Sequence, residues 1–142
     1  IIGLNLTENI TCSDYYEVID QIHNQGGICV LPHPFRGHKE VTSIVKMVDL
    51  VEIWNARSTV EQNLRAEELS KEHSKAVIAG SDAHVITELG RVKIYSNDLY
   101  DTNKSYHLRY SSRREKNFSY LIRDIKLRKY ISLPYHIMRL LF

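Results

Sequence analysis

The sequence predicts an α/β fold built from parallel strands, and three observations lead to this prediction. Short apolar runs alternate with stretches of helical periodicity, the connections between them are short, and polar residues follow three of the apolar runs. Repeated strand–helix units of this kind form parallel strands joined by right-handed crossovers. The 142 residues suffice for one domain. Both an open doubly wound sheet and a barrel fit the pattern.

The first elements are a strand, a helix and a second strand. IIGLNL at the start of the chain is typical of a strand. A helix is predicted over residues 14–25, where apolar residues recur every three or four positions and Gly26 ends the pattern. ICVL, residues 28–31, is short and continuously apolar, as in a strand covered on both faces, and Pro32 ends it.

The later elements repeat the alternation. A short helix is predicted at about residues 40–47, followed by the strand VDLVEIW at 48–54. The stretch STVEQNLRAEELSKEHS predicts a long helix whose inward-facing residues are Val60, Leu64 and Leu69. AVIA and RVKIY predict two further strands. The last prediction is an amphipathic helix at about 117–131, with these apolar residues in register: Phe118, Leu121, Ile122 and Ile125.

Composition and charge narrow the class of protein. Hydrophobic residues make up 43% and charged residues 25% of the chain, as in a soluble globular protein. No apolar run approaches the roughly 20 residues of a membrane-spanning helix, and no signal peptide is evident. We therefore expect a cytoplasmic location. Cys12 and Cys29 form no CxxC motif, and we expect both to be reduced.

The charge is divided unevenly along the chain. Residues 1–103 contain 9 Lys and Arg against 15 Asp and Glu, a net charge of −6. Residues 104–142 contain 10 against 2, a net charge of +8. Such a basic segment can bind nucleic acid, phosphate or an anionic membrane surface, but it more often forms a solvated or interdomain face.

Polar residues at the ends of three predicted strands are the candidate functional residues. His33 follows ICVL, Asn55 follows VDLVEIW, and Asp82 and His84 follow AVIA. Histidine and aspartate bind divalent metals, and alternate residues of an extended segment share a face, so a D-x-H can direct both side chains to one point. Glu52 lies within its strand, where its side chain either points into a barrel mouth at the strand ends or pairs with a lysine.

Each of these residues also has a purely structural interpretation. Asp82 can cap the next segment, His84 can lie in a loop, and His33 between two prolines can belong to a rigid turn. Their expected convergence at one edge of the sheet favours a metal site. The competing motifs GxSxG, GxGxxG and the P-loop are absent. A metal-dependent hydrolase is therefore the favoured chemistry.

The segments GGICVLPHPFR, VDLVEIWNAR and AVIAGSDAH, at these separations, resemble the C-terminal half of a PHP domain (polymerase and histidinol phosphatase). The resemblance covers about residues 1–96, and residues 97–142 resemble the basic segment that often follows this domain. It implies an α/β fold that is the C-terminal part of a distorted (β/α)7 TIM-like barrel whose N-terminal strands are absent.

The resemblance also implies a set of site residues. His33, Asp82 and His84 match metal ligands of the family, whose complete sites hold two or three divalent ions, usually manganese, zinc or iron. Arg36 and Asn55 lie near the mouth of the implied barrel and are the candidate substrate-binding residues. Arg36 is expected to contact a phosphate group of the substrate. The family's earlier ligands, an H-x-H and then a histidine and a glutamate, are not found here. We therefore expect a truncated chain that is inactive by itself.

The predicted function is a metal-dependent phosphoesterase that hydrolyses a phosphomonoester or phosphodiester with a metal-activated water. Its expected partner is a small phosphorylated substrate or nucleotide, and the basic segment additionally allows nucleic acid. Two alternatives stay open. One is a non-catalytic PHP remnant that serves as a scaffold or nucleic-acid-binding module. The other is an amidohydrolase-like metal hydrolase that acts on carbon–nitrogen bonds.

Overall fold

A computed structural model describes residues 1–141 and confirms the predicted α/β class. The strands are β1 (Ile2–Leu4), β2 (Ile28–Leu31), β3 (Leu50–Asn55), β4 (Ala76–Gly80), β5 (Val92–Tyr95) and β6 (Ser105–Leu108). The helices are α1 (Tyr15–Asn24), α2 (Val41–Met47), α3 (Val60–Glu72), α4 (Arg113–Lys126) and α5 (Leu133–Leu141). Short 3-10 turns occupy Ile86–Glu88 and Tyr130–Ser132.

The main sheet has the strand order β1-β2-β3-β4, with β2, β3 and β4 parallel. A separate antiparallel pair is formed by β5 and β6. The sheet formed by residues 1–141 is open and does not close into a barrel. The parallel α/β arrangement is therefore confirmed, whereas the interpretation of this sheet as the C-terminal part of a (β/α)7 barrel stays a prediction.

The direction of β1 differs from the predicted parallel pattern. It pairs antiparallel with β2, so that Leu4 lies opposite Ile28. The reason lies in residues 5–14, which join β1 to α1. Their start is held beside the end of α1, where the Thr7 N–H donates to Gln25 Oε1 (3.0 Å). Their end leads into Tyr15, whose hydroxyl donates to Glu40 beyond the other end of β2 (2.6 Å). The chain thus reverses before α1 begins.

Capping residues mark where the helices begin. Asp14 accepts hydrogen bonds from two N–H groups in the first turn of α1. Thr59 forms a reciprocal capping box with Gln62 at α3, and Ser112 forms one with Glu115 at α4. Each such cap stabilises a helix by about 1 kcal/mol.

The hydrophobic core lies between the sheet and the first helices. Its buried members are Ile19, Ile22, Cys29, Leu31, Ile44, Val45, Val48, Val51 and Leu69. Burial of each large aliphatic side chain contributes about 1.5–3 kcal/mol, so this core fixes the position of β2 and β3. Both cysteines are free, as predicted. None of the helices within residues 1–141 has the length and apolar character required to cross a membrane.

Two predicted helix faces are correct only in part. Leu69 is buried, but Val60 and Leu64 are 59% and 54% exposed. Asn63 takes the inward position because its side chain exchanges hydrogen bonds with the backbone of Asn55 (3.1 and 3.2 Å). The helix predicted at 117–131 is present as α4 but ends at Lys126. Of its four apolar residues, Phe118 and Ile125 are exposed, whereas Leu121 and Ile122 are partly buried. Polar residues form its buried face: Asn117, Ser119 and Asp124.

Candidate functional site

The candidate site lies at the carboxyl edge of the main sheet. His33 follows β2, Asn55 is the last residue of β3, and Asp82 lies two residues beyond β4. Because these three strands are parallel, their carboxyl ends lie along the same edge. Ligand sites of open parallel sheets form at this edge. The fold therefore brings the polar residues of three separate segments into one region.

Arg36 connects two of these segments to its own. Its Nη1 donates to Asn55 Oδ1 (2.9 Å), and its Nη2 donates to Asp82 Oδ2. Both side chains of the Arg36–Asp82 ion pair are partly buried. The guanidinium that the sequence suggested for phosphate binding is thus engaged with protein oxygens, and it holds the loop after β2 against the loop after β4.

Glu52 is a central residue of the site, where the sequence had left two interpretations open. Its carboxylate is buried, and Oε2 accepts hydrogen bonds from the backbone N–H of His33 (2.7 Å) and from Asn55 Nδ2 (3.0 Å). Burial raises the pKa of Glu52, while the hydrogen bonds from Asn55 and His33 act in the opposite direction. Glu52 therefore points to the site and fixes the backbone that carries His33.

Two imidazoles of the site, those of His33 and His38, lie against each other, whereas that of His84 lies apart from them. His33 Nδ1 and His38 Nε2 are 3.2 Å apart, and the two rings stack. Burial and the Arg36 charge lower the pKa of His33, so its ring is neutral at neutral pH, as a metal ligand requires. The half-exposed ring of His84 turns back, with Nδ1 2.8 Å from the backbone oxygen of Asp82.

Asp82 is held as a carboxylate. Burial acts to raise the pKa of Asp82, but the hydrogen bond and charge of Arg36 outweigh it and keep the pKa below its usual value. The backbone of Asp82 is left-handed (φ 48°), as is that of His33 (φ 29°). Non-glycine residues adopt this conformation at a cost of about 1–3 kcal/mol, and such strain is enriched at functional sites.

A buried ion pair between Arg57 and Glu88 lies next to the loop that carries Asp82 and His84. Arg57 Nη1 donates to both carboxylate oxygens of Glu88 (2.7 Å each), and the two side chains are 4% and 0% exposed. Burial acts to raise the pKa of Glu88, but donors outweigh it and lower the pKa, among them the His84 backbone N–H and Arg57. Sequence reasoning assigned no role to either residue, although Arg57 ends the segment VDLVEIWNAR.

A small cleft opens between these groups. It has a volume of about 180 Å³ and is lined by Arg36, Arg57, His84 and Tyr120. The first three come from the loops after β2, β3 and β4, and Tyr120 comes from α4. A cleft with two guanidinium groups and an imidazole suits an anionic group such as a phosphate.

The types of donor at this edge fit a divalent metal, but the described residues do not form a closed metal site. Imidazole nitrogens from His33 and His84 and the carboxylate of Asp82 are suitable ligands for manganese, zinc or iron. Within residues 1–141, however, no three His, Cys, Asp or Glu side chains are grouped closely enough to hold an ion. The metal and the ligand roles of these residues stay predictions.

Comparison with known proteins identifies one segment. Residues 60–98 match a sequence-family model described as PHP-associated. The uncharacterized protein MJ0417 of Methanocaldococcus jannaschii is 37% identical to the chain over 110 residues, which cover 69% of the chain and 46% of the relative. The chain thus spans less than half the length of that relative. The segment 60–98 includes α3, β4 and the loop with Asp82 and His84, and the chain therefore contains a PHP-associated segment.

Proposed function

We propose that this chain forms part of a PHP-type phosphoesterase that hydrolyses a phosphomonoester or phosphodiester with the help of divalent metal ions. The observation that carries the proposal is the position of His33, Arg36 and Asp82 at one edge of parallel strands. The PHP-associated match over residues 60–98 supports it, because the segment contains Asp82 and His84. The relative from Methanocaldococcus jannaschii is described as uncharacterized, so it supports no particular activity.

His33, Asp82 and His84 would hold metal in this function. A bound divalent ion supplies charge that acidifies a water molecule and neutralises a phosphoryl oxygen. The protein contributes the orientation of its ligands: Glu52 fixes the His33 backbone, and Arg36 keeps Asp82 ionised and in place. A trinuclear or dinuclear centre needs more ligands than these three, so segments outside the described residues would provide the others.

Substrate binding would use the cleft lined by Arg36, Arg57, His84 and Tyr120. Arg36 is 30% exposed on its side chain and lies at the junction of the cleft and the Asp82 carboxylate. Its guanidinium has donors beyond the two used by Asn55 and Asp82, since it carries five N–H groups in all. These donors are available to a phosphate oxygen. Asn55 would then act by orienting Arg36.

Hydrolysis assays on the complete gene product test this proposal. We expect manganese-dependent release of p-nitrophenol from p-nitrophenyl phosphate or its diester, and a loss of at least about 100-fold in Asp82→Asn, because ligand carboxylates are needed for metal binding. The matched control is Glu68→Gln, which changes an exposed carboxylate on α3 and should retain full activity. The 142-residue chain alone should bind manganese weakly and show no turnover.

Two results would overturn the proposal. If the folded gene product neither binds manganese nor hydrolyses either ester, the non-catalytic remnant is the better description. If a panel of substrates shows turnover only of compounds with a carbon–nitrogen bond, the amidohydrolase-like alternative replaces the phosphoesterase. Equal activity of Asp82→Asn and the Glu68→Gln control would remove Asp82 from the ligand set.

Nucleic-acid binding is a second candidate function, favoured by the basic C-terminal segment. Exposed cations are present on α4 and in the turn after it: Arg113, Arg114, Arg123, Lys126, Arg128 and Lys129. Binding through phosphates depends steeply on salt. Fluorescence anisotropy with a labelled DNA should therefore show a loss of affinity of about tenfold or more between low and moderate salt. Salt-independent affinity, or no binding at low salt, would exclude this function.

A further inference from the structure

We propose that Glu88 and Arg57 are positioning residues that fix the loop carrying Asp82 and His84 to helix α4. The inference rests on the proposed function for its catalytic consequence, because the loop contains two of the proposed ligands. The structural part is independent of that function. It predicts a specific coupling between the buried ion pair and the backbone of His84.

The contacts of Glu88 carry the first step. Its Oε2 accepts hydrogen bonds from the backbone N–H of His84 (2.8 Å) and of Val85 (3.3 Å). The side chain is fully buried, so water cannot replace these bonds. Glu88 thus holds the two amides that directly follow the Asp82-Ala83 turn. A hydrogen bond to a charged group contributes more than one between neutral groups.

The contacts of Arg57 carry the second step. Its guanidinium orients both oxygens of Glu88, and its Nη2 donates to Ser119 Oγ on α4 (2.7 Å). Its backbone oxygen accepts a hydrogen bond from Lys116 Nζ, also on α4 (2.9 Å). A continuous set of hydrogen bonds therefore runs from α4 through Arg57 and Glu88 to the amide of His84.

This arrangement gives α4 a defined role. The helix provides Tyr120 to the cleft beside His84, and the same helix anchors the ion pair that holds the His84 backbone. A displacement of α4 would thus change the cleft and the loop together. Positioning of this kind matters because a proposed ligand that is held loosely binds metal less well, even when its side chain is unchanged.

The experiment compares Glu88→Gln with Asp49→Asn. Asp49 is a matched control, because its carboxylate also accepts a backbone N–H, from Cys29 (2.7 Å), and pairs with a basic side chain, that of His23. It lies at the start of β3, at the opposite edge of the sheet. Hydrogen–deuterium exchange is followed at the His84 and Val85 amides. We expect about tenfold faster exchange or more in Glu88→Gln, with both rates unchanged in Asp49→Asn.

The milder variant Ser119→Ala keeps the ion pair and the Lys116 hydrogen bond to the Arg57 backbone, and it removes only the hydrogen bond from the Arg57 guanidinium to α4. It should speed the exchange of the same two amides by a smaller factor, and it provides the test if Glu88→Gln does not fold. In the complete gene product, we expect Glu88→Gln to weaken manganese binding about 10- to 100-fold, with excess manganese restoring turnover. The Asp49→Asn variant should bind manganese normally.

The outcomes separate this inference from the proposed function. Unchanged exchange at His84 and Val85 in a folded Glu88→Gln, or in Ser119→Ala where Glu88→Gln does not fold, overturns the inference. If exchange is faster in Glu88→Gln but the unaltered protein binds no manganese, the positioning role is supported and the metal function is rejected. Faster exchange together with manganese affinity equal to that of the unaltered protein overturns the catalytic consequence.

Discussion

The substitution Gly80→Ala tests how firmly Glu52 is fixed in the site. Gly80 is the last residue of β4 and pairs with Asn55 of β3. A Cβ atom at this position would lie 2.3 Å from Glu52 Oε1, much closer than van der Waals contact permits. Glu52 would have to turn away, and its buried carboxylate would lose the hydrogen bonds from the His33 N–H and Asn55 Nδ2.

The expected cost follows from those two bonds. A hydrogen bond to a charged group contributes about 1.5–3 kcal/mol, and a buried donor left without a partner costs about 1–3 kcal/mol. Partial relaxation keeps the total below the sum, and we expect Gly80→Ala to lower the free energy of unfolding by about 2–4 kcal/mol. Urea denaturation followed by the fluorescence of Trp54, which is the chain's one tryptophan, measures this change through a shifted midpoint at constant slope.

The control is the same substitution in a Glu52→Ala background. Without the Glu52 carboxylate, the added methyl group has room, and Gly80→Ala should be neutral or stabilising by up to about 1 kcal/mol. The difference between the two backgrounds is the coupling energy of the pair. An equal cost in both backgrounds would refute the reasoning, because the destabilisation would then come from the backbone of Gly80 rather than from contact with Glu52.

Three further predictions concern stability and reactivity. Burial raises the pKa of the Cys29 thiol to about 11, so a thiol reagent should modify the partly exposed Cys12 readily and Cys29 only after unfolding; two equally fast thiols would contradict this. Burial acts to raise the pKa of Glu115, but hydrogen bonds from Arg91 and Ser112 outweigh it and lower the pKa from 4.5 to about 2. The stability that Glu115→Gln removes should therefore be present above pH 4.5 and decline as the pH falls toward 2, and a pH-independent difference in urea midpoint would refute it. Finally, Leu69→Ala should cost about 2–4 kcal/mol because Leu69 is buried in the core, whereas Leu64→Ala at an exposed position should change the urea midpoint little, and equal costs would show that α3 packs in another orientation.

The sequence predicted the elements of the main sheet well, because their signals are local. The continuous apolar runs of β2 and β3 and the Gly26-Gly27 stop after α1 need no distant contact to be recognised. The direction of β1 could not be predicted in this way. It depends on the path of residues 5–14. The contacts at the two ends of this segment, Thr7 with Gln25 and Tyr15 with Glu40, join positions that are 18 and 25 residues apart.

The error on α3 has a different cause. Val60 and Leu64 are four residues apart and form an apolar stripe, yet the helix packs through Asn63, Ala66 and Leu69. Asn63 faces inward because its amide satisfies both backbone groups of Asn55, where β3 ends. A buried N–H and C=O without partners would cost more than two partly exposed aliphatic side chains do. Hydrophobic periodicity alone does not indicate that the backbone groups of Asn55 need hydrogen-bond partners.

The candidate site shows why strand ends point to the proposed ligands more readily than to the residues that hold them. His33 and Asp82 were identified from the end points of strands, and both adopt left-handed backbone conformations that cost free energy. Such conformations persist only when surrounding contacts impose them. Glu52 holds the N–H of His33, and Arg36 holds the carboxylate of Asp82.

The loop after β4 is held in a similar way. Glu88 accepts a hydrogen bond from the amide of His84. Arg57, 31 residues earlier in the chain, donates to Glu88, and it also donates to Ser119 on α4. Pairs between such distant positions produce no sequence pattern from which they could be predicted. Glu52 within the apolar stretch LVEIW is one signal that the sequence does contain, because a charge buried there requires partners such as Asn55. The positions of the proposed ligands thus depend on Glu52, Arg36 and Glu88. The sequence drew attention to Glu52 and Arg36 but not to these contacts, and it gave no indication of Glu88.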